Sequence, residues 1–164
     1  MDYKIIEKPE FTVVGKALRV STKNGENLTS IPAFWMEVTQ DGSFAKLEAA
    51  ASRGTVVVNA TLGICLDFSD NMDEFTYMVA AEGVARDLPE DFTERTIPAS
   101  TWAVFASTGA MPAAIQEVWG RIWSEFLPTE PYIHAAAPDL EVYPPGDSMA
   151  PDYGFEVWVP VVRK

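Results

Sequence analysis

Apolar positions along this chain follow two different periods, which predicts that strands and helices are combined in one fold. Alternation, or short runs rich in β-branched and aromatic residues, predicts strands at residues 11–20, 55–60, 63–67, 74–81, 93–105, 139–143 and 155–162. Two longer stretches instead place apolar residues three and four positions apart, as amphipathic helices do. The sequence therefore indicates a mixed α and β protein with two helical regions.

The second helical region has the clearer pattern. Its apolar residues stand at i, i+3, i+4, i+7, i+8 and i+11, namely Ile115, Val118, Trp119, Ile122, Trp123 and Phe126. Such a stripe covers one face of a helix. Pro112 lies near the predicted start, and Pro128 is predicted to end the helix because proline cannot donate a backbone hydrogen bond.

The first helical region is divided in two. Ser30 is predicted as the N-cap and Pro32 as a residue of the first turn, since both residue types favour these places. Asp41 and Gly42 interrupt the apolar spacing, and a second helical piece follows at residues 44–51. Each helical region therefore has a proline near its start.

The order strand, helix, strand, strand occurs twice along the chain, which indicates an internal duplication. We predict one domain over residues 1–164, with a first repeat at residues 1–85 and a second at residues 93–164. Two β-α-β-β units side by side form an α+β fold, in which one antiparallel sheet carries both main helices on one face. A ligand groove is then expected between the two halves.

The charge of the chain argues against several classes of protein. Its 164 residues include 24 acidic and 12 basic side chains, so the formal net charge of −12 repels nucleic acid phosphates. No apolar run approaches the roughly 20 residues that span a bilayer, and the polar start lacks the features of a secretory signal. We therefore expect a cytoplasmic protein that contacts neither a membrane nor nucleic acid directly.

Motifs for metal, cofactor or nucleophilic chemistry are missing from the sequence. Cys65 is the only cysteine and His134 the only histidine, so neither a disulfide within the chain nor a Cys/His zinc cluster is expected. Cys65 is interpreted as a small buried apolar residue, and His134 as a residue at the surface or at a pocket rim. We accordingly predict no metal, no cofactor and no hydrolytic triad.

Two acidic residues stand beside aromatic rings on predicted strands. Glu141 shares a strand face with Tyr143, and Glu156 shares one with Trp158, because alternate residues point to the same side. Inside an enclosed groove such a carboxylate is desolvated, and a bound cation restores its pairing while the rings add cation–π attraction. On a solvated outer face the same pattern has no functional meaning, and the pattern alone leaves both interpretations open.

Aromatic residues make up 12% of the chain, which suits a cavity lined with rings. The candidates for its walls are Trp35, Tyr77, Trp119 and Trp123, together with the two rings beside the glutamates. The three tryptophans among these four also lie on helix stripes, where most such residues belong to the core. The pattern therefore predicts a set of rings without deciding which of them line a cavity.

A family resemblance is carried mainly by the C-terminal half of the chain. It lies in the helical segment 115–128, in the motif Leu140-Glu141-Val142-Tyr143-Pro144 and in the closing strand 155–161. Together these resemble the GyrI-like effector-binding domain, and residues 6–15 fit the first strand of that domain. The family forms the ligand-sensing part of multidrug-responsive MerR- and AraC-type regulators, and it also occurs alone, as in integron-cassette proteins.

The resemblance implies a pocket between duplicated β-α-β-β halves that holds cationic, aromatic, drug-like ligands. Glu141 matches the glutamate on the floor of that pocket, and Glu156 matches a second acidic position in the last strand. The chain shows no DNA-binding segment, so we expect a binding protein for a small cationic and aromatic ligand. Both a monomer and a homodimer are compatible with the sequence.

Two other functions stay open at this point. Some GyrI-like proteins resemble hydrolases of cyclopropane-containing compounds, in which Glu141 would direct a water molecule onto the substrate. Others inhibit DNA gyrase, and the negative charge of this chain would complement a basic protein partner. We favour the binding role over both, without excluding an enzyme.

Overall fold

The computed structural model describes residues 1–164, apart from the side chain of Asp87. Its strands are β1 (Lys4–Lys8), β2 (Phe11–Ser21), β3 (Thr61–Leu66), β4 (Glu74–Glu82), β5 (Thr93–Ile97), β6 (Ser100–Thr108), β7 (Tyr132–His134), β8 (Asp139–Tyr143) and β9 (Gly154–Arg163). Its helices are α1 (Asn27–Gln40), α2 (Ser43–Ala51), α3 (Ala113–Arg121) and α4 (Leu127–Thr129), and a π-helical turn over Ile122–Phe126 joins α3 to α4. Short 3-10 turns lie at Lys23–Gly25 and Ala85–Asp87. The fold is therefore of the predicted α+β class.

The strands form one antiparallel sheet in the order β1-β6-β9-β8-β3-β4-β2-β5, and β7 pairs with the end of β9. The order is the same from either edge when each strand is replaced by its counterpart in the other half of the chain. The counterparts are β1 and β5, β2 and β6, β3 and β8, and β4 and β9. The first strand of each half pairs with a strand of the other half, since β1 pairs with β6 and β5 pairs with β2. The strand order thus favours a duplication, while the repeat boundaries at 1–85 and 93–164 stay a prediction.

Residues 55–60 form a loop, although their valine-rich sequence predicted a strand. The carboxylate of Glu82 accepts hydrogen bonds from the backbone N–H groups of Thr55, Val56 and Val57 at 2.7 to 3.0 Å. These are donors that a sheet ladder would use, so the segment bends around the carboxylate instead. β3 begins directly after this loop.

The strand predicted at residues 93–105 is in fact two strands. Pro98 lies between β5 and β6, which pair with opposite halves of the sheet. Proline has no N–H for a ladder, so a break at this position has a plain physical cause. Pro9 separates β1 from β2 in the same way.

The start of α1 differs from the prediction, because the helix begins at Asn27 and not after Ser30. Pro32 therefore lies inside the helix, where it cannot donate to the carbonyl four residues earlier. That carbonyl belongs to Leu28, and it accepts a hydrogen bond from Gln116 Nε2 at 3.1 Å. Gln116 is a residue of α3, so this bond joins the two helical regions.

The second helical region does not stop at Pro128 as predicted. The π-helical turn widens the helix before this residue, and the backbone N–H of Leu127 bonds to the carbonyl of Ile122. Pro128 has no N–H to donate to the carbonyl of Ser124, and the wider turn accommodates it in α4. The apolar stripe consequently continues to Phe126, which is buried.

Both helical regions lie on one face of the sheet, as predicted. α1 and α2 pack over β2 and β4, where Phe34, Val38 and Leu47 share one buried apolar cluster with Val14 and Val79. α3 and the π-helical turn pack over β6 and β9 in a second cluster, and the opposite face of the sheet forms a third. None of the helices in the described residues is both long and apolar enough to span a bilayer.

Candidate ligand-binding site

A cavity of about 1180 Å³ lies between the two helical regions, and β3 and β8 form its floor. Side chains from both halves of the chain line it, and most of them are apolar or aromatic. The acidic residues among them are Glu48, Asp139, Glu141 and Asp147, and none of the described lining residues is a lysine or an arginine. The cavity therefore combines apolar surface with negative charge.

The alternation of side chains along β3 and β8 determines which residues form the floor of the cavity. Even-numbered residues such as Leu62, Leu140 and Val142 belong to the apolar cluster on the opposite face of the sheet. The register places Gly63 directly opposite Glu141 across the two strands. The residues of β3 and β8 that face the helices are Thr61, Gly63, Cys65, Asp139, Glu141 and Tyr143.

Glu141 is the polar centre of this floor and is only 5% exposed. Its Oε1 accepts hydrogen bonds from the Tyr77 hydroxyl at 2.6 Å and from the Tyr143 hydroxyl at 3.1 Å. Its Oε2 accepts a hydrogen bond from Trp119 Nε1 at 2.6 Å. Donors from β4, β8 and α3 thus converge on one carboxylate, as a buried charge requires.

Trp35 extends this network to α1. Its Nε1 donates to the Tyr77 hydroxyl at 2.8 Å, which leaves the hydroxyl proton of Tyr77 for Glu141. The ring of Trp35 also meets the ring of Tyr143 edge to face, with centroids 5.2 Å apart. Each helical region therefore contributes one tryptophan that is connected to Glu141.

The electrostatics of Glu141 are set by burial. Burial raises the pKa of Glu141 above its ordinary value, while the hydrogen bonds from Tyr77, Trp119 and Tyr143 oppose that rise. Burial and the neighbouring carboxylate raise the pKa of both tyrosine hydroxyls, which therefore remain donors. A positive charge placed in the cavity would favour the ionised carboxylate and lower its pKa.

Gly63 makes this arrangement possible, although no sequence motif predicts a role for it. A Cβ atom added at this position would overlap the Tyr77 hydroxyl and Oε1 of Glu141. Glycine inside a strand often marks the close approach of another group. The sequence signal for such a close approach is a glycine within the otherwise apolar run of β3.

We expect Gly63→Ala to push Tyr77 and Glu141 apart and to lower the free energy of unfolding by about 1–3 kcal/mol, as overpacking does in cores. Urea denaturation measures this change. Gly120→Ala is the matched control, because a Cβ added at Gly120 meets no atom within 4 Å. The control should be neutral or stabilising, since alanine favours helices. Equal stability of the two variants would contradict the close approach at Gly63.

Six of the eight predicted site residues line the cavity: Glu141, Trp35, Tyr77, Trp119, Trp123 and Tyr143. Trp123 is the most exposed ring among them, at 47%, and it stacks on the ring of His134 with centroids 6.0 Å apart. It therefore belongs to the mouth of the cavity, whereas the other rings lie close to Glu141.

Glu156 and Trp158 are not among the residues that line the cavity. The register pairs Glu156 with Val142 and Trp158 with Leu140, so both point to the face opposite that of Glu141. On that face Trp158 Nε1 donates to Glu156 Oε2 at 2.8 Å. Strand register thus corrects the expectation that both glutamates stand beside one groove.

Asp139 is a buried carboxylate that was not among the predicted site residues. It is 2% exposed, lines the cavity and lies 2.7 Å from His134 Nε2 through its Oδ1. His134 is itself partly exposed and is not among the lining residues, although it stacks on Trp123 at the mouth of the cavity. Cys65 is buried, as predicted, and faces Asp139 across the two central strands. The sequence does indicate that Asp139 shares the face of Glu141, since it precedes Glu141 by two residues on one strand and alternate residues point to the same side.

The sequence also matches a known protein family. The model of the Cass2 family, described as integron-associated effector binding protein, matches residues 4–161. The chain belongs to this family. No curated protein matches the chain significantly.

Several solved structures are similar to this effector-binding domain. SAV2435 bound to tetraphenylphosphonium is 24% identical, with a TM-score of 0.85 over 99% of this chain and 94% of that one. A candidate bacterial transcription regulator from Staphylococcus aureus MU50 is 28% identical, with a TM-score of 0.77 over 98% of each chain. Integron cassette protein VCH_CASS2, from the mobile metagenome of Vibrio cholerae, is 17% identical, with a TM-score of 0.68 over 98% of this chain and 95% of that one.

Proposed function

We propose that this effector-binding protein holds a lipophilic organic cation in its cavity, with Glu141 as the counter-charge. The observation that carries the proposal is a buried carboxylate in a cavity whose described lining contains no basic side chain. A cation in the cavity compensates the desolvated charge of Glu141. The surrounding rings add cation–π attraction of about 0.5–2 kcal/mol.

The hydrogen bonding of Glu141 favours a cation that carries no donor of its own. Tyr77 and Tyr143 already bond to Oε1, and Trp119 already bonds to Oε2. A quaternary or delocalised cation interacts with the field of the carboxylate and with ring faces, and it needs no free lone pair. The similar protein SAV2435 was solved with tetraphenylphosphonium, which is a cation of this kind.

Methionines at the cavity favour ligands of varied shape. The lining includes Met36, Met72, Met111 and Met149, and three of these are at least 47% exposed. Methionine is unbranched and polarisable, so its side chain adapts to different apolar surfaces. We therefore infer that the protein accepts a class of cationic, aromatic compounds and not a single compound.

A thermal-shift comparison tests the proposal. Tetraphenylphosphonium at about 100 times its Kd should stabilise the native state by about 2.7 kcal/mol and raise the melting temperature by roughly 5–10 °C. Triphenylphosphine oxide presents similar rings without a charge, and it should raise the melting temperature much less.

Equal shifts from both compounds would contradict a role for charge, and no shift from either would exclude the cavity as a cation site. Mass spectrometry of a cyclopropane-containing compound after incubation separates binding from turnover, because tetraphenylphosphonium has no bond that the hydrolytic alternative would cleave. An unchanged mass supports a binding protein, whereas a changed mass would favour the hydrolytic alternative at Glu141.

A further inference from the structure

A second carboxylate shares the cavity floor with Glu141. Asp139 precedes Glu141 by two residues on β8 and also lines the cavity. Two residues of a strand extend over about 7 Å, so the two carboxylates form separate centres of negative charge. Asp139 is almost completely buried, and its charge is therefore desolvated as well.

His134 is the hydrogen-bond partner of one oxygen of the Asp139 carboxyl. Its Nε2 lies 2.7 Å from Asp139 Oδ1, and its Nδ1 accepts a hydrogen bond from the backbone N–H of Ala136 at 3.0 Å. A ring nitrogen that accepts carries no proton, so in this arrangement Nε2 carries the ring proton and donates to Asp139. Burial raises the pKa of Asp139 and the hydrogen bond from His134 opposes that rise, so a cation beside the carboxyl would favour its ionised form.

The second oxygen of Asp139 is available to a ligand. Among the described residues no donor bonds to its Oδ2, whereas both oxygens of Glu141 have donors. A group that pairs with Asp139 should therefore bring an N–H as well as a positive charge. A primary or secondary ammonium supplies both in one charge-assisted hydrogen bond.

Aromatic side chains line the cavity near Asp139 and His134. Phe68 stacks against Phe75 with ring centroids 5.4 Å apart, and both rings belong to the cavity lining. Trp123 also lines the cavity, where it stacks on the imidazole of His134. Ring faces attract an ammonium group and reduce the water that competes for it.

We propose that Asp139 forms a second subsite, so that the cavity prefers a dication to a monocation. A quaternary or delocalised charge would lie near Glu141, and an ammonium group about 7 Å away would donate to Asp139 Oδ2. This inference rests on the proposed function, because the Glu141 subsite holds the first charge.

The test compares two ligands that differ only in the second charge. The dication is benzyltrimethylammonium with an aminomethyl group in the meta position, and the monocation carries a methyl group there. We expect the dication to bind at least about tenfold more tightly, or by about 1.4 kcal/mol, in isothermal titration calorimetry. Salt of about 0.5 M screens the general attraction of dications to an acidic protein.

Asp139→Asn should abolish this preference and leave the affinity for the monocation unchanged, because asparagine still accepts the hydrogen bond from His134. Asp2→Asn makes the same charge change at an exposed residue that does not line the cavity, and it should retain the preference. If Asp139→Asn does not fold, a bis-quaternary ligand tests the subsite in the wild-type protein. That ligand has no N–H, and it should lose most of the preference.

Absence of a preference in the wild type, or its persistence in Asp139→Asn, would overturn the second subsite. These outcomes leave the proposed function intact if the monocation still binds in a manner that depends on Glu141. Failure of both ligands to bind would instead overturn the proposed function, and the second subsite with it.

Discussion

Glu141→Gln is expected to weaken the binding of tetraphenylphosphonium by about 100-fold, or about 3 kcal/mol, because the cation would be buried without a counter-charge. The amide has the size of the carboxylate, and its oxygen can still accept hydrogen bonds from Tyr77 and Tyr143, while its NH2 group faces Trp119 Nε1 and loses that bond. Any loss from this rearrangement affects charged and uncharged ligands alike, so the affinity for uncharged triphenylphosphine oxide should fall much less. Isothermal titration calorimetry measures both affinities, and circular dichroism checks the fold.

Glu156→Gln is the matched control for this experiment. It makes the same chemical change and the same change in net charge on the opposite face of the sheet, where Glu156 pairs with Trp158. Its affinity for tetraphenylphosphonium should match that of the wild type. Similar losses in the two variants would show that the overall charge matters and that the position of Glu141 does not.

The pH dependence of binding provides a second measurement on Glu141. Burial raises the pKa of this carboxyl, and only the ionised form serves as a counter-charge. The affinity for tetraphenylphosphonium should therefore be complete above that raised pKa and fall as the pH falls through it. The profile of Glu141→Gln should be flatter in the same range, because this variant has no charge to lose at that position.

Glu82→Gln is expected to destabilise the fold by about 2–3 kcal/mol at neutral pH, because an amide cannot accept all the hydrogen bonds that the carboxylate accepts. The Oε1 atom of Glu82 accepts from Thr55 and Val56, and Oε2 accepts from Val56 and Val57. An NH2 group in place of either oxygen would face backbone N–H groups. For a domain of this size the melting temperature should fall by roughly 4–12 °C.

The pH dependence of this loss has a definite sign. Burial alone would raise the pKa of Glu82, but the hydrogen bonds from Val57, Thr55 and Val56 outweigh it and lower the pKa below its ordinary value. A carboxyl with a lowered folded-state pKa contributes stability above its ordinary pKa, and this contribution is lost as the pH falls through the lowered value. The difference between wild type and Glu82→Gln should therefore shrink in acid.

Glu74→Gln provides the comparison for Glu82, because Glu74 lies at the other end of β4 and is exposed. Its substitution should leave the melting temperature nearly unchanged at all pH values. A loss in Glu82→Gln that stayed constant from neutral to acidic pH would mean that packing, and not the carboxylate, holds the loop at residues 55–60.

Several features of this site depend on local properties of the sequence. Strand parity placed Glu141 and Tyr143 on one face, because alternate side chains of any strand point to the same side. Helical spacing placed Trp35 and Trp119 on their two helices, and Trp119 reaches the cavity from the predicted stripe. The class of fold followed from the same two periods.

Other features depend on contacts between distant parts of the chain. The pairing of β8 with β9 places Glu156 on the face opposite Glu141, although each residue stands beside an aromatic ring within its own strand. The valine-rich segment at 55–60 has the composition of a strand, yet Glu82, more than 20 residues later, takes its backbone donors. Neither the face on which Glu156 lies nor the loop at residues 55–60 can be predicted from a local sequence pattern.

Residue patterns therefore predicted the α+β class, the two helical regions on one face and the shared face of Glu141 and Tyr143 on β8. Only the pairing of distant elements shows that Gly63 leaves room for the bond between Tyr77 and Glu141, and that Asp139 and not Glu156 is the second carboxylate of the cavity floor. The physical reason is that periodicity within an element depends on neighbouring residues, whereas register and close approach depend on which elements pair.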